Sequence, residues 1–509
     1  MLVSLSSTML LTLFFIMLIA SGLSGILLLH PRVPLSFVRI HIGINAIPPL
    51  ISLLALVNTN VNYDTIGPWF LDSLAWLVVF FVLTIGLIIQ RFSIRYFMGD
   101  YSYRKYFAYF TFTTGAASIT WLCGDLRFLV LFWGVTLVGL TILIGLNRRW
   151  QVVSEAARVS KRFFMLSWLS LLFAAIWLFQ ATGQWQFSLA LTNENLAQLG
   201  TWERTGISLL IVLTVIIPAA QWPFQRWLIE SVAAPTPVSA IMHAGLVNAG
   251  GIILTRFSPL FNGDIASIIL IILASISVLL GSGINLVQVD YKRQLVGSTM
   301  GQMGFMLIQC ALGAYVAAVI HLVLHGLFKA TLFLQAGSAV RHIELSTHVN
   351  ESSSYLWIMV GRALGLIVGV SFWLMAPVAG YPLISALILG WSLSVSWTQL
   401  VALGEGRIGR IVGLSIIGVF AIVYFIIHNL FYEWLHISVN QSVQLPISVV
   451  IIVVGLLLLG SAIGTWGARN HSSSIFPALY LWLVRLGEAK LKSVDSHPNY
   501  LKHLINTRR

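Results

Sequence analysis

The run from Ala317 to Gly337, AAVIHLVLHGLFKATLFLQAG, is long and apolar enough for a membrane helix, yet it carries His321, His325 and Lys329. Standing four residues apart, they advance about 40° around and about 6 Å along an α-helix at each step. They form one slanting polar stripe. An ionisable group at the bilayer centre costs about 3 kcal/mol on insertion scales, so the stripe must face protein or water rather than lipid. Two readings follow: a proton relay, or core residues that tie helices together by hydrogen bonds.

That stripe sits in a chain of 509 residues that is apolar throughout, 58% hydrophobic and only 9% charged, with a mean hydropathy of +0.91. Soluble domains carry about 25% charge. Apolar stretches divided by short polar punctuation predict an all-α polytopic membrane protein with about 15 transmembrane helices. They are expected near residues 3–29, 35–57, 68–90, 106–122, 126–146, 162–180, 206–228, 236–255, 264–289, 296–312, 315–337, 355–375, 380–400, 408–428 and 446–466. The first has no basic n-region and is too long for a signal peptide, so it is expected to remain as a span.

Counting Lys and Arg in alternate connections supports an odd number of spans. Arg32, Arg39, Arg91, Arg95, Arg104, Lys105, Arg148, Arg149, Arg158, Lys161, Arg162, Arg226, Lys292, Arg293, Arg341, Arg407 and Arg410 fall on one side with the basic C-terminal tail. The other side has little beyond Arg127, Arg204 and Arg256. The positive-inside rule then puts the N-terminus outside and the C-terminus in the cytoplasm of a bacterial inner membrane. The net charge of +13 is read as this orientation signal, and no nucleic-acid partner is expected besides the lipid bilayer. Cys123 and Cys310 lack pair spacing, so no metal or redox cofactor is expected in the chain. Ser474 to Lys492 turns from apolar to basic, as an amphipathic helix on the cytoplasmic surface would; it serves as an interfacial anchor or a docking segment.

Pro218 and Pro223 interrupt the seventh span, and Pro377 and Pro382 stand at the same separation later. A proline removes a backbone donor, and such breaks persist in a membrane where protein or water satisfies the freed carbonyls: an ion path, or an ordinary kink. Gln221 to Arg256 reads QWPFQRWLIESVAAPTPVSAIMHAGLVNAGGIILTR. A broken helix ends in Arg226 and Glu230, a Pro-Thr-Pro turn follows, and a new span places His243 inside. A histidine there is a proton carrier near neutral pH or a structural hydrogen-bonder.

That stretch, with LVQVDYKRQLVGSTMGQMGFM from Leu286 to Met306 and HLVLHGLFKATLFLQAGS from His321 to Ser338, resembles the antiporter-like membrane subunits of respiratory complex I and the Mrp cation/proton antiporters. LDSLAWLVVFFVLTIGLII and YFMGDYSYRKYFAYF are similar to the N-terminal part of the family's longest subunit. The resemblance implies two pseudo-symmetric five-helix units with discontinuous helices. It divides the chain into N-terminal helices (1–105), a first repeat (106–255), a second repeat (256–400), C-terminal helices (401–470) and the amphipathic tail (471–509). It also implies a midplane proton path. His243, Lys292, His321, His325 and Lys329 match family relay positions, with Pro218 and Pro223 at the helix break and Gln221, Arg226 and Glu230 around it. Thr136 stands where the family has a glutamate and Pro218 where it has a lysine, so a complete half-channel of the respiratory type is not expected.

Within the family the pattern looks most like the membrane subunits of two-component bacterial inorganic-carbon pumps. That likeness implies an ion-conducting, non-enzymatic subunit that energises CO2 or bicarbonate uptake, beside a large cytoplasmic zinc-binding partner related to carbonic anhydrases. The rival readings are a proton-translocating subunit of a complex I-like or Mrp antiporter complex, and a structural membrane anchor for a catalytic partner.

Overall fold

The computed structural model describes residues 6–58, 64–147, 150–261, 265–336, 355–375, 406–435 and 475–489, with a few isolated positions. The spans expected near 380–400 and 446–466 lie wholly or largely outside these residues, as do Pro377 and Pro382. Among the described residues, 8 helical stretches are long and apolar enough to cross a membrane.

The chain opens with α1 (Ser7–Leu29), then α2 (Phe37–Asn45) and α3 (Ile47–Asn58) as one interrupted span. The interruption precedes Pro48 and Pro49, which sit in the first turn of α3, where missing amide donors cost nothing. A short antiparallel hairpin, β1 (Asp64–Ile66) with β2 (Trp69–Leu71), is an element the hydropathy pattern does not reveal. α4 (Ser73–Tyr96), α5 (Tyr103–Leu122) and α6 (Leu126–Ile144) pack in sequence order. α7 (Gln151–Thr182) has 32 residues, about 48 Å at the α-helical rise, so it projects beyond a hydrocarbon core of about 30 Å. The span expected at 162–180 is its inner part.

Two short turns of helix, α8 (Phe187–Ala190) and α9 (Asn193–Ala197), lead to α10 (Thr201–Ile216). The chain then breaks twice, giving α11 (Arg226–Glu230), α12 (Thr236–Ala244) and α13 (Ala249–Arg256). α14 (Ile265–Val287), α15 (Tyr291–Ala311) and α16 (Tyr315–Gln335) complete the central bundle. α14 and α15 cross where Gly281 meets Gly297 and Gly301. A Cβ on Gly281 would lie 2.7 Å from the Gly297 carbonyl, so the backbones touch where side chains are absent. Helices Tyr355–Met375 and Gly406–Leu435 follow. The helix expected in the tail forms over Ile475–Leu486 and leans on the end of α14, with Gln288 Nε2 donating to the Val484 carbonyl at 3.0 Å.

Two buried polar contacts hold the N-terminal helices to the rest. Asp72 caps α4, accepting from Ala75 N at 2.8 Å, and takes a bidentate pair of 2.6 Å hydrogen bonds from Arg256 at the end of α13. Asp72 is 1% exposed, and such a pair is favourable only because both oxygens are engaged. The second contact centres on His41 of α2, which is fully buried. Its Nε2 lies 3.0 Å from Asn45 Nδ2, which only donates, so Nε2 accepts and Nδ1 carries the proton. Nδ1 donates to Ser24 Oγ at 2.7 Å, and Ser24 passes its own hydrogen to the Ser21 carbonyl. Thr111 Oγ1 and the Gln90 amide close the ring of contacts, joining α1, α2, α4 and α5.

Outside the spans, Asp125 caps α6 and pairs with Arg127 at 2.7 Å. Burial pushes the Asp125 carboxyl up, but the hydrogen bonds and charge of Arg127 outweigh it and hold the group below the usual carboxylate range.

Candidate functional site

The first break follows from Pro218 and Pro223. α10 stops at Ile216, and the freed groups find partners inside the protein: Trp227 Nε1 donates to the Ile217 carbonyl at 2.7 Å and Trp222 N to Ser277 Oγ at 2.9 Å. Gln221 is completely buried and donates through Nε2 to the carbonyls of Ala219 and, at 3.3 Å, Met300. It therefore ties the break to α15. Arg226 and Glu230 pair with each other at 3.2 Å along one turn of α11. An interrupted helix at membrane depth needs this complete accounting of backbone groups.

The second break separates α12 from α13 at Gly245 and a 3-10 turn, Leu246–Asn248. Asn248 bridges it. Its Nδ2 donates to the Ala244 carbonyl at 2.7 Å, which leaves Oδ1 as an acceptor for His325 Nδ1 at 3.2 Å. α16 approaches this break closely because residue 326 is glycine: a Cβ there would sit 2.9 Å from the Ala244 carbonyl oxygen.

His325 and Lys329 of the stripe face inward, as their cost in lipid demands, while His321 is half-buried beside the exposed Gln302. His325 is 5% exposed and Lys329 is 1% exposed. Lys329 Nζ donates to the Leu295 carbonyl at 3.3 Å, and the same oxygen accepts Thr299 Oγ1 at 2.8 Å. With its hydrogen committed there, Thr299 accepts from His243 Nδ1 at 2.9 Å. His243 also lies flat on Phe333, ring centroids 4.2 Å apart. Lys329, Thr299 and His243 are thus joined through one backbone oxygen.

His321 is held between the side-chain oxygens of Gln309, 3.0 Å from Nδ1, and Gln302, 3.1 Å from Nε2. Both oxygens can accept together from an imidazolium; the neutral ring is served once one amide turns over. The pocket accommodates either protonation state. His321 and His325 have ring centroids 6.1 Å apart. His325 Nε2 is buried without a hydrogen-bond partner among the described residues.

Lys292 enters from the start of α15, where Nζ donates to the Ala234 carbonyl at 3.1 Å, one residue before the Pro-Thr-Pro turn. α15 is the common wall. Lys292, Leu295 through its carbonyl, Thr299, Gln302 and Gln309 recur at helical spacing over about 25 Å at the α-helical rise, close to the thickness of a hydrocarbon core.

Of the five residues expected as a relay, Lys329 and His243 are linked through the Leu295 carbonyl and Thr299, His321 and His325 stand with their rings 6.1 Å apart, and Lys292 sits at the start of α15 on the Ala234 carbonyl. Sequence reasoning misses Asn248, Thr299, Gln302 and Gln309. Their signal is present as polar side chains in α15 at intervals of three and seven, and as an asparagine inside a helix break. Thr136 takes no part: its hydroxyl bonds back to the Phe132 carbonyl at 2.9 Å. It lines an apolar cavity of about 50 Å³ with Phe81, Trp133, Ala244 and Asn248. Among the described residues no three His, Cys, Asp or Glu side chains converge as a metal site.

Residues 123–409 match the family model described as NADH:quinone oxidoreductase/Mrp antiporter, TM. The chain is 75% identical over 506 residues, 99% of its length and 100% of the relative's, to a probable inorganic carbon transporter subunit DabB of Bacillus subtilis (strain 168). It is 30% identical, over 82% of its length and 80% of the relative's, to the similarly named protein of Hydrogenovibrio crunogenus (strain DSM 25203 / XCL-2). Among solved structures, a chain of the Mrp complex from Dietzia sp. DQ12-45-1b superposes with a TM-score of 0.63 at 20% identity, covering 97% of this chain and 62% of that one. A chain of the archaeal membrane-bound sulfane sulfur reductase superposes with a TM-score of 0.58 at 17% identity, covering 94% and 96%. These two likenesses show a shared fold.

Proposed function

The chain belongs to the NADH:quinone oxidoreductase/Mrp antiporter transmembrane family, and we propose that it is the proton-conducting subunit of an inorganic carbon transporter. It is a multi-pass membrane transport subunit and not an enzyme, as its full-length relatives are named. The finer reading adds about 15 spans in two pseudo-symmetric units and an N-terminus outside the bacterial inner membrane. CO2 hydration then belongs to a large, cytoplasmic, zinc-binding DabA-like partner, driven by proton entry through this subunit.

The single observation that carries the conducting role is the state of His325. Asn248 fixes its Nδ1 as the donor, and the Nε2 lone pair lies buried and unengaged among the described residues, one helical turn from His321 on one side and from Lys329 on the other. A proton arriving at His321 passes to that lone pair, and imidazole rotation or a bridging water carries it on. Lys329 takes it up and, by swinging off the Leu295 carbonyl or through a bridging water, passes it towards His243 and Lys292; the Leu295 carbonyl and Thr299 only position the amine and the imidazole and carry no proton. Lys329 works by shedding and regaining its proton, so the positive charge moves without a counter-ion.

The anchor reading keeps one supporting observation: Thr136 and Pro218 supply neither of the two ionisable groups that the respiratory relatives carry there. A single experiment separates the two. The full chain, expressed with its partner in membrane vesicles, is assayed for proton uptake, and the same cells for bicarbonate-dependent growth. The relay requires that Lys329→Ala lose both at normal levels of membrane insertion; retention of both assigns the chain to anchoring.

A further inference from the structure

On the strongly basic side of the protein, the ends of α1, α5, α6 and α7 enclose a cleft of about 1800 Å³, separate from the relay. Its mouth carries Arg104, Lys105, Arg158 and Lys161 against one carboxylate, Asp100. Arg158 is occupied by Glu155 at 2.7 Å, and Arg104 donates to the His30 carbonyl at 2.8 Å. Asp100 accepts from Ser102 N. Lys105 and Lys161 are exposed and have no ion pair among the described residues. The floor is different. Val138 and Ile142 of α6 line it, together with Tyr109 of α5 and, beyond the end of α6, Leu146 and Trp150. Val138 lies six residues inside the end of α6, about 9 Å along the axis, so the cleft runs from the interface into the hydrocarbon region.

We propose that this cleft binds an anionic phospholipid of the same leaflet, with its phosphate between Lys105 and Lys161 and its upper acyl chains against Val138 and Ile142. The argument is one of matched chemistry at matched depth. A water-filled cleft would leave the exposed Val138 side chain, 59% exposed, against water at membrane depth. A zwitterionic lipid would cover it yet leave the lysines uncompensated. An anionic lipid satisfies both ends, and basic pockets between spans on this side of a membrane are where such headgroups dock. Trp150, just before α7, suits the headgroup level. The site is independent of ion conduction, so each can fail without the other.

The test uses the full-length chain, purified with the subunits that accompany it, and measures lipid retained by native mass spectrometry after titration with phosphatidylglycerol or with phosphatidylcholine of the same acyl chains. Phosphatidylglycerol is expected to bind selectively. Lys105→Gln with Lys161→Gln should weaken it about fivefold per lysine, so about 25-fold together. Val138→Trp, a change at an exposed position that fills the floor, should displace the lipid with the lysines intact. Arg127→Gln on the opposite face should leave binding unchanged. Equal binding of the two lipids overturns the proposal, as does full binding by both cleft variants. Displacement by millimolar inorganic phosphate would assign a free-anion site instead, and a cleft filled by an acidic segment of a co-purified subunit would assign a protein interface; either outcome also overturns it.

Discussion

His41 and His325 are both buried imidazoles facing an asparagine, yet they sit in opposite kinds of surroundings. At His41, Ser24 takes the Nδ1 proton while Asn45 and Thr111 crowd Nε2. Asn45 cannot turn over without setting its oxygen against the Gln90 oxygen that its amide now serves at 3.1 Å. A closed network of this kind fixes one tautomer and four helices. At His325, Asn248 fixes one nitrogen, and the other has no partner among the described residues. The Asp72–Arg256 pair belongs with His41, since both carboxylate oxygens are taken. Burial of an ionisable group therefore does not by itself mark a conduit; under the proposed relay, the distinguishing feature is spare hydrogen-bonding capacity beside a second titratable group.

The hardest test of the closed class is Asp72→Asn. It leaves Arg256 buried and half-paired, and removing one partner of such a pair destabilises by about 3–5 kcal/mol. We expect a lower apparent unfolding temperature in detergent, with proton uptake per inserted molecule preserved. Loss of uptake at full stability would move Asp72 and Arg256 into the conducting class.

The two histidines can be set against each other directly. His325→Gln should cut proton uptake by about 100-fold, the usual scale for losing a positioned proton carrier, with little change in stability. His41→Gln should do the reverse, costing about 1–3 kcal/mol through unsatisfied partners while uptake per molecule stays normal. Equal losses of uptake in the two variants would erase the distinction. Between these lies Thr299→Val, which removes the hydroxyl joining His243 to the Leu295 carbonyl. We expect about a tenfold fall in uptake, the scale of one hydrogen bond to a charged group, and recovery in Thr299→Ser.

The sequence pattern exposes one side of each contact and conceals the other. The stripe on α16 is legible because its spacing is intrahelical, and the break at Pro218 and Pro223 because proline chemistry is local. Asn248, Thr299, Gln302 and Gln309 are ordinary polar residues until the fold sets them opposite the stripe. The Leu295 carbonyl has no sequence signature at all. His41 and Asn45 stand four apart in an apolar segment and carry the same intrahelical signal as the stripe, but their closure depends on Ser24, Gln90 and Thr111 from three other helices. Asp72 and Arg256 lie 184 positions apart, and charge counting places Arg256 at the outer side without naming its partner.

The smallest effect comes from the pair at the surface. Asp125 and Arg127 meet at 2.7 Å, but the Arg127 side chain is 60% exposed, so water screens much of the attraction. The Asp125 carboxyl is held below its usual range in the folded chain. An unfolded aspartate titrates near about 3.9. The pair therefore contributes its stability above that value, and the contribution disappears as pH falls through the lower folded value. Arg127→Gln removes the group that lowers it, so the acid limb of the unfolding curve should shift to slightly higher pH, with a small loss of neutral stability and unchanged uptake. Superimposable acid limbs for the variant and the parent would show that the capping hydrogen bonds from the α6 backbone, and not the guanidinium, hold Asp125 ionised.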